Sequence, residues 1–412
     1  MKKIIFGISL LIAVAFLFFS LSKKDETFSE QKTKTDSIHK KNDNAFVYDD
    51  GNLLVKKSIT EFESFIKTIL INKQAAGAAI AIVKDTSIIF LKGYGLREYG
   101  KSDSINSRTV FRIGSVSKSV TATLCAVLVD EGIIHWNDPV IKYLPDFKLK
   151  SEEATKKLTL AHLLSHTEGL PYHAFTNMVD KNVPVDSLID DLQDLDLIAE
   201  PGKIHSYQNV GFSLIGKVIE AATKKPFEEV LIEKLFTPLG MVDASASYQK
   251  ISASENVAQP HLLVQPRKIS KAYYSVAPAG GVNASAQDLG LWLKAMLSQN
   301  STVLKEKRLE EIFTPQVWAP THNFHFNEWK RVRRPSYGLG WRVLAFADDT
   351  IVYHGGYVNN YRCEVAMNRK KKIGIALLVS APGVLADQGV PTFFKIYEHN
   401  LDSIKNWKRK DL

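Results

Sequence analysis

Four short apolar runs follow one another in the last quarter of the chain: "GWRVLAF", "TIVYHGG", "RCEVAMN" and "KIGIALLVS". Parallel neighbours need a crossover of a dozen or more residues, and the gaps here are far shorter, so these runs must pair antiparallel as hairpins. A matching pair stands near the other end, where "GAAIAIVKDTSIIFLKGYG" reads as two strands around Lys84-Asp85-Thr86. Between the two groups the apolar spacing becomes helical, over residues 116 to 131 and about 159 to 236, with "DSLIDDLQDL" and "GFSLIGKVIEAAT" both amphipathic. A helix over "VKKSITEFESFIKTILINK" leads into the first strands, and a closing helix over "TFFKIYEHNLDSIKNW" follows the last. The pattern predicts an α+β fold in which a mainly antiparallel sheet, formed by both ends of the domain, is flanked by helices, with a helical lobe beside it.

Composition fits that reading and narrows the function. At 412 residues, 45% apolar and 24% charged, the chain can bury a large core. Three segments are expected. Residues 1 to 22 form a secretory signal or membrane anchor, because "IIFGISLLIAVAFLFFSLS" is uncharged, follows two lysines and is just long enough to span a bilayer. Residues 23 to 52 are a polar tether, and residues 53 to 412 the folded domain, which is therefore expected outside the cytoplasm and held at a membrane. The net charge of +9 does not point to nucleic acid, since the lysines are dispersed and the densest basic run, in "WKRVRRP", lacks interleaved stacking aromatics. It reads as a solvated surface that can lie near anionic membrane or cell wall. Cys125 and Cys363 sit inside apolar segments, as buried thiols rather than a disulfide or metal ligands.

Ser115 and Lys118 in "FRIGSVSKSVTATLCAVLVDEG" are one of six Ser-x-x-Lys pairs, so spacing alone says nothing about chemistry. Ser115 differs in context. It stands where a long apolar run begins, which puts its hydroxyl at a helix start with Lys118 one turn on along the same face. Backbone N–H groups there can stabilise an oxyanion, and an uncharged lysine can take the hydroxyl proton. A helix-capping serine beside a surface lysine would look the same in sequence. Further along, Tyr207 and Asn209 in "SYQNVG" are two residues apart ahead of an amphipathic helix, placed to face one cavity, or to serve as a core tyrosine and a cap. His354-Gly355-Gly356 ends a strand-like run, where two glycines admit close approach of a ligand or of another backbone, or mark a bulge.

Taken together, Ser-Val-Ser-Lys at 115 to 118, Tyr-Gln-Asn at 207 to 209 and His-Gly-Gly at 354 to 356 resemble the serine β-lactamase and penicillin-binding-protein superfamily, in its class C-related serine hydrolase branch. "LTLAHLLSHTEGLP", "FTPLGM", "PAGGVNASAQDLGLWLKAML" and "YGLGW" resemble that branch too, so the likeness covers roughly residues 75 to 385. It implies a β-lactamase/transpeptidase-like fold and an acyl-enzyme mechanism without metal or cofactor. Ser115 would be the nucleophile, Lys118 and Tyr207 would move its proton, and Asn209 would position substrate and lysine. The backbone N–H groups of Ser115 and Tyr357 would form the oxyanion hole, with His354, Gly355 and Gly356 lining the substrate strand. The implied substrates are a small D-amino-acid peptide, an ester or a β-lactam. Class C β-lactamases carry Lys-Thr-Gly at the third motif; His354 and Gly355 in its place imply a weaker grip on a carboxylate, and so peptidase or esterase action rather than efficient β-lactam hydrolysis. The competing reading is a non-catalytic relative that binds cell-wall peptides or acts as a scaffold. His162 and His166 have the spacing of helical metal ligands, but "HLLSHT" matches a structural stretch of the family, and no metal is expected.

Overall fold

A computed structural model describes residues 46–47, 53–72, 76–299, 301–320 and 328–410. The expected signal or anchor, and all of the expected tether except Phe46 and Val47, lie outside the described residues. The elements that position the site are β1 (Phe46–Val47), α1 (Leu53–Ile71), β2 (Gly77–Lys84), β3 (Ser87–Gly95), α2 (Val116–Asp130), α3 (Val210–Thr223), α4 (Ala286–Leu297), β4 (Val317–Trp318), β5 (Arg334–Tyr337), β6 (Arg342–Ala345), β7 (Thr350–Val358), β8 (Tyr361–Asn368), β9 (Ile373–Val379) and α5 (Val384–Lys410).

The nine strands form one fully antiparallel sheet in the order β1-β3-β2-β9-β8-β7-β6-β5-β4. Its two sequence groups meet where β9 pairs with β2, Ala376 opposite Ala81. Both ends of the domain therefore build the sheet, as the spacing of the apolar runs predicts. Phe46 and Val47, assigned to the tether by composition, instead pair with Leu91 and Phe90 and extend the sheet edge.

Strands β2 and β9 are apolar along their whole length because both of their faces are covered. Ala79, Ala81 and Val83 point into a core shared with α2 and α4 (Val120, Leu124, Leu289, Trp292), whereas Ala78, Ile80 and Ile82 pack with Phe62 and Ile66 of α1 and Phe393 and Phe394 of α5. The helical middle is more broken than its periodicity suggests. Short helices at Leu160–Ser165, Thr176–Asp180 and Val185–Asp190 precede α3. The closing helix also begins eight residues before Thr392, at Val384, and carries Pro391 in its interior. A proline removes one helical hydrogen bond and usually ends the helix. Here Leu385, Ala386 and Val390 on one side of it and Phe393 and Phe394 on the other are buried in the same core, and that packing holds the helix together through the proline.

A charged cluster fastens α5 to the sheet. Arg362 donates to Glu364 (2.6 Å) and to Asp387 of α5 (3.0 Å), and Tyr353 donates to the other oxygen of Glu364. Removing the guanidinium takes the cation away from the buried Glu364 carboxylate. Arg362→Ala should therefore cost about 3–5 kcal/mol in urea unfolding, whereas replacing both partners by apolar residues should cost less.

Candidate active site

Ser115 opens α2 in helical conformation (φ −65°, ψ −7°), and its hydroxyl makes no capping hydrogen bond. The capping reading therefore fails, and the hydroxyl is available for chemistry. Ser115 is partly exposed, whereas Lys118 one turn on is completely buried. Burial, with the positive charge of Arg342 second, pushes the Lys118 ammonium well below its usual pKa.

The surroundings of Lys118 Nζ account for its orientation. It donates to Asn209 Oδ1 at 2.8 Å and to the carbonyl of Ala279 at 2.8 Å, and lies 3.3 Å from Ser115 Oγ. A neutral amine has two N–H bonds and one lone pair. Once Lys118 is unprotonated, its two N–H bonds can stay on the two carbonyl oxygens while the lone pair faces the Ser115 hydroxyl. Asn209 is held in turn, its Nδ2 donating to Thr176 Oγ1 at 3.3 Å.

Tyr207 and Asn209 serve the same cavity even though Asn209 already has helical dihedrals at the start of α3. The Tyr207 hydroxyl hydrogen-bonds with Ser115, and burial raises its pKa beyond the ordinary phenol range. Lys118 Nζ sits 4.6 Å from the centre of the Tyr207 ring. His166 and His173 pack on that ring at 4.3 and 5.3 Å. His166 caps its helix in a left-handed conformation and accepts a hydrogen bond from Gln208 N, while His162 Nδ1 accepts from Thr159 N in a capping box. Both histidines are thus occupied in holding local structure. Among the described residues no group of three or more metal-ligating side chains comes together.

Strand β7 brings the third motif to the start of α2. A Cβ built on Gly356 would lie 1.9 Å from the carbonyl oxygen of Ile113 and 3.0 Å from Ser115 N, and one on Gly114 would lie 2.8 Å from Tyr357 N. Glycine at both positions lets the backbones meet, so the N–H groups of Ser115 and Tyr357 belong to adjoining segments, as an oxyanion hole requires. The flanking residues behave differently from the expectation that they line the substrate strand. His354 is buried, with Nε2 2.9 Å from the Tyr337 hydroxyl and Nδ1 3.0 Å from the Gly355 carbonyl. Burial, Arg342 and Lys118 push its pKa well below the usual histidine value, so it is a neutral ring that orders Tyr337. At Gly355 a Cβ would meet the Tyr353 hydroxyl at 2.5 Å and a Glu364 oxygen at 2.6 Å. The side chain that the lysine-bearing motif places there has no room in this protein.

Two further residues shape the site without having been singled out in the sequence. Arg342 on β6 lies 5.7 Å from the Tyr207 ring and 5.6 Å from the Tyr337 ring, and its charge depresses the pKa values of Lys118, His354, His166, His173 and His205. Glu168, in "HTEGLP", is fully buried with neither carboxylate oxygen hydrogen-bonded, and burial raises its pKa well above the carboxylate range. Arg342 looks in sequence like any polar residue of a hairpin strand. Glu168 follows Ser165, His166 and Thr167, and among those polar neighbours an acid gives no signal in the sequence.

A serine at a helix start, a buried lysine whose pKa is pushed down, a tyrosine and neighbouring backbone donors define the site of a serine hydrolase of the β-lactamase and penicillin-binding type. Residues 62–391 match the Beta-lactamase family model, and the chain belongs to that family. It is 25% identical over 363 residues to Protein flp of Staphylococcus aureus, covering 86% of this chain and 68% of that protein. It is 28% identical over 336 residues to the unguisins hydrolase ungD' of Aspergillus campestris, covering 78% of this chain and 61% of that one. Among solved structures, the octameric penicillin-binding protein homologue from Pyrococcus abyssi superposes with a TM-score of 0.71 at 26% identity, over 82% of this chain and 76% of that one. The D-alanine carboxypeptidase AmpC from Burkholderia cenocepacia shares the fold with a TM-score of 0.66 at 20% identity, over 84% of this chain and 99% of that one.

The glycine contact can be tested directly. Gly356→Ala should force β7 away from the Ser115 N–H, lowering the melting temperature and reducing fluorophosphonate labelling of Ser115 by on the order of a hundredfold, the usual effect of losing one oxyanion donor.

Proposed function

We propose that the protein is an exported serine hydrolase that cleaves an amide or ester through a covalent acyl-Ser115 intermediate. The observation that carries this reading is the fully buried Lys118, whose Nζ is held by Asn209 and Ala279 at 3.3 Å from Ser115 Oγ and whose pKa burial pushes down. Ser115 Oγ attacks the carbonyl carbon while its proton passes to Lys118 Nζ. The oxyanion is met by the Ser115 and Tyr357 N–H groups. As the tetrahedral intermediate collapses, the bond to the leaving group breaks and that group takes the Tyr207 hydroxyl proton, which Lys118 restores. Water then attacks the acyl carbon with the same groups reversing their roles, and Ser115 leaves with its proton. The raised pKa of Tyr207 keeps it a phenol, a donor rather than a standing anion.

With His354 neutral and Gly355 without space for a hydroxyl side chain, a carboxylate on the substrate would be met by Arg342. An ester needs no carboxylate contact, so the missing lysine and hydroxyl of the third motif cost it less than they cost a β-lactam. The relative from Aspergillus campestris, a hydrolase of unguisins, supports hydrolytic action. A scaffold has no use for a desolvated lysine aimed at a free serine hydroxyl, and so the non-catalytic reading explains less.

A fluorophosphonate or penicillin probe should label Ser115 in the wild type and not in Ser115→Ala; equal labelling of the two would remove the proposal. In a screen of muropeptides, p-nitrophenyl esters and nitrocefin, ester turnover should exceed nitrocefin turnover. Because Lys118 must be unprotonated, kcat/KM should rise as pH rises through its depressed pKa. Arg342→Gln removes the cation that helps to depress it, so the acid limb of the pH profile should move to higher pH.

A further inference from the structure

Residues His261–Leu262 and Gln265–Pro266 form a two-stranded hairpin whose turn contains Leu263. Leu263 is 76% exposed and Leu262 45% exposed. Leu263 also has φ +57°, a left-handed conformation that favours glycine or asparagine and strains a leucine. An apolar side chain in solvent on a strained turn contributes nothing evident to the fold. Below this tip the chain carries Arg267, Lys268 and Lys271, all exposed. Among nearby acids, Glu98 pairs with Lys101 and Asp103 with Arg97, and neither pairs with Arg267, Lys268 or Lys271.

The hairpin arm is fixed to the wall of the active site. Ser270 N donates to Asn359 Oδ1 at 2.8 Å, in the turn just after Tyr357. The buried Arg112 donates to the carbonyls of Ser270 and Ala272 at 3.0 and 2.6 Å. Tyr357, two residues before Asn359, is also 54% exposed.

We propose that the Leu262–Leu263 tip, with Arg267, Lys268 and Lys271, docks on an anionic lipid bilayer and seats the mouth of the active site against it. An apolar tip on a basic neck matches such a surface on both counts. The leucines enter the acyl boundary, while each basic residue near the surface contributes about fivefold, so the three favour anionic over neutral lipid by roughly a hundredfold. The inference adds to the proposed hydrolase a surface for its membrane; the apolar run at residues 4 to 22 would keep that membrane close, but the tip does not require it.

The test uses the full chain with Leu263→Cys and an environment-sensitive thiol dye, which the buried Cys125 and Cys363 will not take up. Vesicles are phosphatidylcholine alone or an equal mixture with phosphatidylglycerol, and flotation reports separately whether the chain is on them. The expected result is a blue shift of the dye on the mixed vesicles, absent on phosphatidylcholine and lost in R267E/K268E/K271E and in high salt. Fluorophosphonate labelling of Ser115 in that triple variant should match that of the wild type, which shows that it folds. A dye left in water while the chain floats with mixed vesicles overturns the proposal. So does a shift in detergent that grows with protein concentration, since a second copy would then cover the tip. Failure to float without lipid in excess, with the shift intact once excess mixed vesicles are added, would count against the anchor and leave the docking surface standing.

Discussion

The active site depends on one contact, the approach of strand β7 to the start of helix α2 through Gly356 and Gly114. No side chain fits between them, because even a methyl group on Gly356 would overlap the Ile113 carbonyl. This contact brings together the backbones around Ser115 and Tyr357, two segments more than two hundred residues apart, where the proposed oxyanion hole would form. The rest of the sheet serves to hold β7 in that position. Strands β8 and β9 carry it to β2, and α1 and α5 pack on the far face, with Arg362 linking α5 to Glu364 beneath Gly355.

The chemistry then follows from desolvation. Lys118 is surrounded by the rings of Tyr207 and Phe212 and by two carbonyl oxygens, with Arg342 near enough to repel a second positive charge. Buried this way, an amine is a base rather than an ion pair. The same burial pushes His354 towards the neutral ring and Tyr207 towards the phenol, which leaves Arg342 as the cation that acts on Lys118 and His354. At His354 the lost charge is compensated by hydrogen bonds, Tyr337 and the Gly355 carbonyl taking the two ring nitrogens. Glu168 differs: both of its carboxylate oxygens are buried without a hydrogen-bond partner, as is Nε2 of His166 and of His205.

Local chemistry made some features legible in the sequence. The antiparallel pairing of β6 to β9 was readable because short connections exclude crossovers, and α2 because a long apolar run starts at Ser115. Ser115, Lys118, Tyr207 and Asn209 were found through spacing and order, and they do converge. In sequence the C-terminal helix reads as starting after Pro391, because a proline breaks a helix unless packing on both sides restrains it, and such packing is invisible along the chain. Phe46 and Val47 read as tether for a similar reason: two residues on a sheet edge leave no periodic signal.

What the sequence determined by itself was the class of fold and the inventory of reacting groups, since both rest on neighbours within a few positions of one another. The tertiary structure decided the protonation states and the directions of the side chains. Only burial tells whether Lys118 is an ammonium or an amine, and only the sheet shows that His354 turns to Tyr337 while Gly355 backs onto Tyr353 and Glu364. Arg342 became part of the site for the same reason. A charge acts through space, and its distance from Tyr207 and Lys118 is set by how the hairpin β6–β7 folds over the helical lobe, which no spacing along the chain records.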